Sequence, residues 1–176
     1  MMKQKNENLL YRLPETTVFD GTNYIDTEVD LNQYSEYTVM LDVSEIDTAS
    51  ANNTLFDNMT EKPPYPGWVI DVRTGRNCRF TASRSLSRIC QDPASRNKIV
   101  VRRSADGEFT LFTDSVYPSG FSVTSYIASG SVNHTVYLGA YYNNGSVSRY
   151  TKGTMHDCKI YSTALSDDEI TTYLNS

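Results

Sequence analysis

Apolar residues recurring at every second position constrain this chain more than any other feature. In Tyr37-Thr38-Val39-Met40-Leu41-Asp42-Val43 the odd positions form an apolar face, and two of the three even ones are polar. Trp68-Val69-Ile70-Asp71-Val72-Arg73 behaves likewise, with Trp68, Ile70 and Val72 pointing one way. A period of two is that of a strand with one buried face. The same reading predicts strands over 22–27, 53–57, 77–82, 98–103, 109–113, 135–140 and 154–161. Between them stand turn signals: Pro63-Pro64-Tyr65-Pro66-Gly67, Thr74-Gly75, Asp106-Gly107 and Asn144-Gly145. Asp-Gly and Asn-Gly between strands favour tight hairpins, because both central residues take positive φ there. Many short strands so punctuated predict an all-β antiparallel sandwich or barrel, and 176 residues suit one core.

The C-terminal end follows a different rule. Ser166 and Glu169 occupy the N-cap and N3 positions of a capping box, and Leu165 and Ile170 those of a hydrophobic staple. Asp167 and Asp168 complement the positive end of the helix dipole. A short helix is predicted here, covering one end of the sandwich. Residues 1–17 carry no period and are read as an N-terminal arm or an edge segment, leaving 18–176 as the domain.

With the strands placed, the chain resembles the laminin-G-like jelly-roll domains of the concanavalin A-like lectin/glucanase superfamily. The opening Val18-Phe19-Asp20-Gly21-Thr22-Asn23-Tyr24-Ile25-Asp26, the central hairpin around Asp106-Gly107, and the closing Lys159-Ile160-Tyr161 followed by Ala164-Leu165-Ser166 carry the likeness. It spans about residues 18–174 and implies an antiparallel two-sheet jelly-roll sandwich with a short C-terminal helix. Two departures stand out. His156, followed by Asp157, occupies the family's frequent Asp position, and the central hairpin ends Thr113-Asp114-Ser115 where Asp-Gly is usual.

The opening phrase is also similar to structural proteins of bacteriophages, in which such domains sit on tails, necks or head fibres as adhesion modules. That resemblance implies a virion protein made in the bacterial host cytoplasm. Its partners would be other virion proteins, further copies of itself as a homo-oligomer, and a host cell-surface glycan. A purely architectural decoration, collar or fibre subunit without glycan binding is the alternative.

Chemistry in the sequence favours binding over catalysis. The glucanase branch of the superfamily needs paired carboxylates on a strand, flanking a glycosidic bond, and no such spacing occurs here. His134 and His156, the only two histidines, read as ordinary strand residues. No enzyme is expected. Stacking against sugars calls for accessible aromatic rings, and Tyr141 and Tyr142 beside the Asn144-Gly145 turn are the first candidates. Tyr65 and Trp68 at the Pro-rich loop follow, although the alternation of Trp68 with Ile70 and Val72 also fits the core. Related folds often hold a structural Ca²⁺ at the rim, for which Asp20 with the Gly21 carbonyl is the seed and Asp157 the partner.

Charge is distributed unevenly. Arg73 to Arg103 is Arg-rich while the first sixty residues are rich in acids. Arg84, Arg88 and Arg96 are candidates for an anionic wall polymer, unless these charges pair with the N-terminal acids inside one molecule. The net charge of -5 and the lack of a recognition motif argue against nucleic acid. No apolar run reaches the roughly 20 residues of a membrane-spanning helix, and residues 1–17 lack the apolar core of a secretory signal. Three cysteines without C-x-x-C spacing read as reduced thiols, with a Cys78–Cys90 bridge as the other possibility. The sequons at Asn52, Asn58, Asn133 and Asn144 are expected to be unglycosylated.

Overall fold

Alternation and hairpins resolve into two stacked sheets in the computed structural model, which describes residues 8–49, 52–60, 62, 65–73, 77–82, 85–90, 92–114, 121–123 and 131–176. Sheet A runs β1 (Leu9–Arg12), β15 (Lys152–Tyr161), β4 (Tyr37–Ser44), β9 (Asn97–Arg103), β10 (Phe109–Thr113) and β11 (Phe121–Val123), with β2 (Thr17–Asp20) also on β15. Sheet B runs β3 (Ile25–Asp26), β12 (Tyr137–Leu138), β5 (Asn52–Met59), β6 (Gly67–Arg73), β7 (Asn77–Ala82) and β8 (Ser85–Cys90). A separate hairpin pairs β13 (Tyr141–Asn143) with β14 (Ser146–Ser148). Every pairing is antiparallel, and the sheet neighbours β15·β4, β4·β9 and β12·β5 are far apart in sequence. That crossing-over is the jelly-roll form of the sandwich.

The alternating residues build the core between the sheets. Val39, Leu41 and Val43 from β4 face Phe56, Trp68, Ile70, Val72 and Phe80 from sheet B in one continuous cluster. Trp68 is its centre: its ring stacks on Phe56 at 4.4 Å and 7°, and its Nε1 donates to the Tyr37 hydroxyl at 2.7 Å. The buried indole therefore keeps its one polar atom satisfied.

The C-terminal helix α1 (Asp167–Leu174) has the expected cap: Ser166 accepts from Glu169 N, and Glu169 accepts from Ser166 N at 2.9 Å. Its position corrects the sequence expectation. It lies on the outer face of sheet A rather than over one end. Met40 and Val100, opposite one another in register, are apolar on the side away from the core, and with Phe112 they pack against Leu165 and Ile170. An outward apolar patch on a sheet needs a cover, and the helix supplies it. Arg102 fixes the start of α1 through Asp167 at 2.6 Å, and the buried Lys98 ammonium caps its end at the Tyr173 carbonyl, 3.0 Å away. Ser166→Ala removes the cap and is expected to lower stability by about 1 kcal/mol, read as a shifted urea midpoint at unchanged slope.

Cys78 lies opposite Cys90 across β7 and β8, while the Cys90 side chain is outside the described residues. Cys158 is fully buried, and burial pushes its thiol well above the ordinary range.

Candidate functional site

The outer face of sheet B carries the most chemistry in the molecule. In register across it, Tyr137 sits opposite Asp57, Asp57 opposite Val69, and Val69 opposite Thr81. Onto this face folds the β13–β14 hairpin, whose turn residues Asn144 and Gly145 both take positive φ, 48° and 88°. That pair of angles is the tight hairpin geometry for which Asn-Gly is suited.

The hairpin separates the two adjacent tyrosines. Tyr141, only 1% exposed, packs down on Met59 and Val69, with the Arg149 guanidinium 4.4 Å above its ring. Tyr142 stays partly exposed. Its ring stacks on Tyr137 at 5.0 Å and 22°, and lies 4.9 Å from the His134 imidazole. Tyr137 stacks in turn on Tyr24 at 5.6 Å, and Tyr24 lies 6.2 Å from Tyr150. Tyr24 is 43% exposed. The outcome is a ladder of rings, Tyr150, Tyr24, Tyr137 and Tyr142, gathered from four separate segments.

Buried polar groups hold the ladder in place. Asp57, with no exposed surface, accepts from Tyr142 N at 2.8 Å and from Met59 N at 3.1 Å, and its Oδ2 is 3.8 Å from His134 Nε2. A carboxylate under the hairpin thus ties β13 to β5. Burial, and then the nearby Asp26 carboxylate, push the Tyr137 hydroxyl up to about 12. It remains a protonated hydroxyl at neutral pH.

Beside the ladder, along β6 and β7, Asp71 collects two arginines. Arg79 grips it through Nε at 3.1 Å and Nη2 at 2.8 Å, and Arg73 through Nε at 3.1 Å. One buried carboxylate between two guanidiniums leaves this part of the face cationic.

Several residues singled out from sequence fall elsewhere. Trp68 is wholly buried in the core and offers sugar no ring face. Tyr141 is covered by its own hairpin. Tyr65 occupies the β5–β6 turn in a left-handed conformation, φ 63°, with its N–H on the Lys62 carbonyl. Arg96 grips Asp42 bidentately, at 2.8 and 2.7 Å, on the sheet A side. Arg84 and the side chain of Arg88 lie outside the described residues, though the Arg88 backbone sits opposite Arg79 in β8. The Arg88 backbone and Arg96 thus stand on different sheets.

The calcium seed also comes apart. Asp20 Oδ1 accepts from Thr22 N, Thr22 Oγ1 and Asn23 N at 2.8, 2.7 and 3.2 Å, and the Thr22 bonds hold its carboxyl below the usual range. Asp157 pairs with Lys159 at 2.7 Å. Asp20 is opposite Lys152 on β15, so Asp157 is five residues further along, roughly 17 Å at about 3.4 Å per residue. Asp20-Gly21 instead makes a turn immediately before Tyr24, and so helps place the ladder. No group of three or more His, Cys, Asp or Glu side chains able to hold a metal occurs among the described residues.

Sequence reasoning named Tyr142 but missed its neighbours. Tyr24 lies in the opening stretch that carries the family resemblance and Tyr137 in the strand predicted over 135–140, and their exposure was the signal that the sequence did not display.

No curated protein matches the chain. Solved structures share its fold: the CBM40 of the Ruminococcus gnavus IT-sialidase, bound to α2,3-sialyllactose, superimposes with a TM-score of 0.67 at 13% identity, covering 94% of this chain and 98% of that one. The NanB sialidase of Streptococcus pneumoniae gives 0.67 at 16% identity over 94% of this chain, and the chain spans only 28% of it. The leech intramolecular trans-sialidase gives 0.64 at 14% identity, with 94% and 27% covered. A laminin-G-type family, described as the concanavalin A-like lectin/glucanases superfamily, matches residues 19–171. The chain belongs to the concanavalin A-like lectin/glucanases superfamily.

Proposed function

We propose that this chain is a non-catalytic carbohydrate-binding domain that takes glycan along the ring ladder on sheet B. The ladder of Tyr24, Tyr137 and Tyr142 carries this reading. Tyr24 and Tyr142, partly exposed at either side of the stack, offer apolar ring surface to the C–H side of a pyranose, while Tyr137 between them holds both in place. The Tyr137 hydroxyl donates its proton to Asp26 and can accept from a sugar hydroxyl, and the arginines beside Asp71 offer further polar contacts. Binding of sialyllactose by the R. gnavus module of the same fold supports the reading. Support for a non-catalytic role comes from Asp57, whose oxygens are taken up by backbone N–H groups rather than aimed outward.

The biological setting we propose is host attachment by a bacteriophage. On this reading the chain is made in the host cytoplasm, is built into the virion beside other virion proteins and copies of itself, and meets a cell-surface glycan there. Its support is the Phe19 to Thr27 phrase and its likeness to virion adhesion modules. A glycan array followed by calorimetry tests the binding. A Tyr137→Ala/Tyr142→Ala double variant should lose roughly 100-fold in affinity, at about 1 to 1.5 kcal/mol per stacking ring. A folded double variant that binds as tightly as the parent would refute the ladder as the site.

A further inference from the structure

Sheet A ends at β2 in an edge that a side chain closes. Among the described residues β2 pairs with β15 alone. Each residue of an antiparallel strand turns its N–H and C=O to one side, and alternate residues turn them to opposite sides. Val18 and Asp20 share one side, and their groups face away from β15. The Val18 side chain is 65% exposed, while Phe19 beside it enters the core. A bare edge next to an exposed valine is a template for a second strand. Here the template is occupied from within. Asp20 N–H donates to Asn23 Oδ1 at 2.8 Å, and Asn23 Nδ2 donates to the Val18 carbonyl at 3.0 Å. One amide thus supplies the acceptor and the donor that a neighbouring strand would supply. The turn presets it, because Thr22 N and Asn23 N donate to Asp20 Oδ1 at 2.8 and 3.2 Å.

We propose that Asn23 is a strand-mimicking plug that keeps β2 from pairing with a second copy of this chain. A second copy is the occupant that fits, because the opened edge is self-complementary. About a two-fold axis at Val18, the N–H and C=O of each Val18 meet the C=O and N–H of the other. The two exposed Val18 side chains then lie opposite one another and bury apolar surface. Tyr24 follows the plug directly. Its ring is 43% exposed and stacks on Tyr137 at 5.6 Å, so the loop that closes the edge also carries a ring of the ladder. A strand added to β2 takes the place of Asn23 and displaces that loop. The plug therefore keeps the edge closed and the ladder assembled together, and any association of copies uses other surfaces.

Sedimentation velocity from micromolar to millimolar protein tests the plug. Asn23→Ala should self-associate at least about tenfold more tightly than the parent. Adding Val18→Lys to that variant should return it to the parent's state, because two ammonium groups then face each other across the axis. The exposed position of Val18 lets lysine enter without disturbing the core, so this reversal separates β2 pairing from general misfolding. In the unsubstituted protein the Asp20 amide should exchange with solvent at least about tenfold more slowly than in an unstructured peptide, a readout that needs no variant. An Asn23→Ala protein that associates no more tightly than the parent, association that survives Val18→Lys, or an unprotected Asp20 amide would overturn the proposal.

Discussion

Asp57→Ala is expected to lower stability by about 4 kcal/mol and to abolish glycan binding along with it. The substitution strips the partner from two buried backbone N–H groups, those of Tyr142 and Met59, and each unsatisfied group costs about 1–3 kcal/mol. Domain stabilities of 5–15 kcal/mol leave little beyond such a loss. The binding defect has a separate origin. Tyr142 reaches Tyr137 only while β13 is held down on β5, so freeing its N–H loosens the top of the ladder. Asp57→Asn keeps an acceptor but brings an NH₂ towards donors, and should cost about half as much. Urea denaturation followed by circular dichroism, with affinity measured at concentrations where both variants are folded, checks the pair. An Asp57→Ala protein with the parent's midpoint would mean that Tyr141 on Met59 and Val69 anchors the hairpin alone.

Trp68→Ala should be the most damaging core substitution, costing about 4 kcal/mol. The indole touches Phe56, Phe80, Tyr37 and Phe109, with ring centroids 4.4 to 6.4 Å away. Its loss opens a cavity where both sheets meet and deprives the Tyr37 hydroxyl of its donor. Trp68→Phe retains the stack on Phe56 and loses the hydrogen bond, for about 1–2 kcal/mol. Comparable midpoints for the two variants would show that the hydrogen bond outweighs packing, contrary to this account.

The local signals in the sequence were sufficient for the strands and the helix cap. Val39, Leu41 and Val43 alternate because one face meets the core, and Ser166 with Glu169 sets the helix start from three residues away. Less legible was anything decided by distant chain. Met40 and Val100 looked like single exceptions to alternation until their register made them one patch, which is why the helix lies on sheet A. Strand β8, Ser85-Leu86-Ser87-Arg88-Ile89-Cys90, lacks the apolar alternation that marks its neighbours and gave no expectation. At the site, adjacency required Tyr141 and Tyr142 to face opposite ways, but only the hairpin's docking decided which is outward. Asp57 read as the end of a strand because its partner Tyr142 is 85 residues away. The Asp20 turn shows the converse: a local motif read correctly as oxygen-rich, but satisfied by its own backbone rather than by a cation.

Both described ends of the chain lie on sheet A. The Asn8 carbonyl accepts from Ser162 N at 2.8 Å, strand β1 follows at the sheet edge, and α1 rests on the outer surface. The tyrosine ladder is across the core, on the far surface of sheet B. A tether at either end therefore directs the ladder away from its anchor, and copies fixed side by side present their rings in a common direction. If glycan is taken along the ladder as proposed, engagement of one copy on a repetitive polysaccharide makes the next engagement intramolecular. Avidity of 10²–10⁴ over a single contact becomes available without any new interaction.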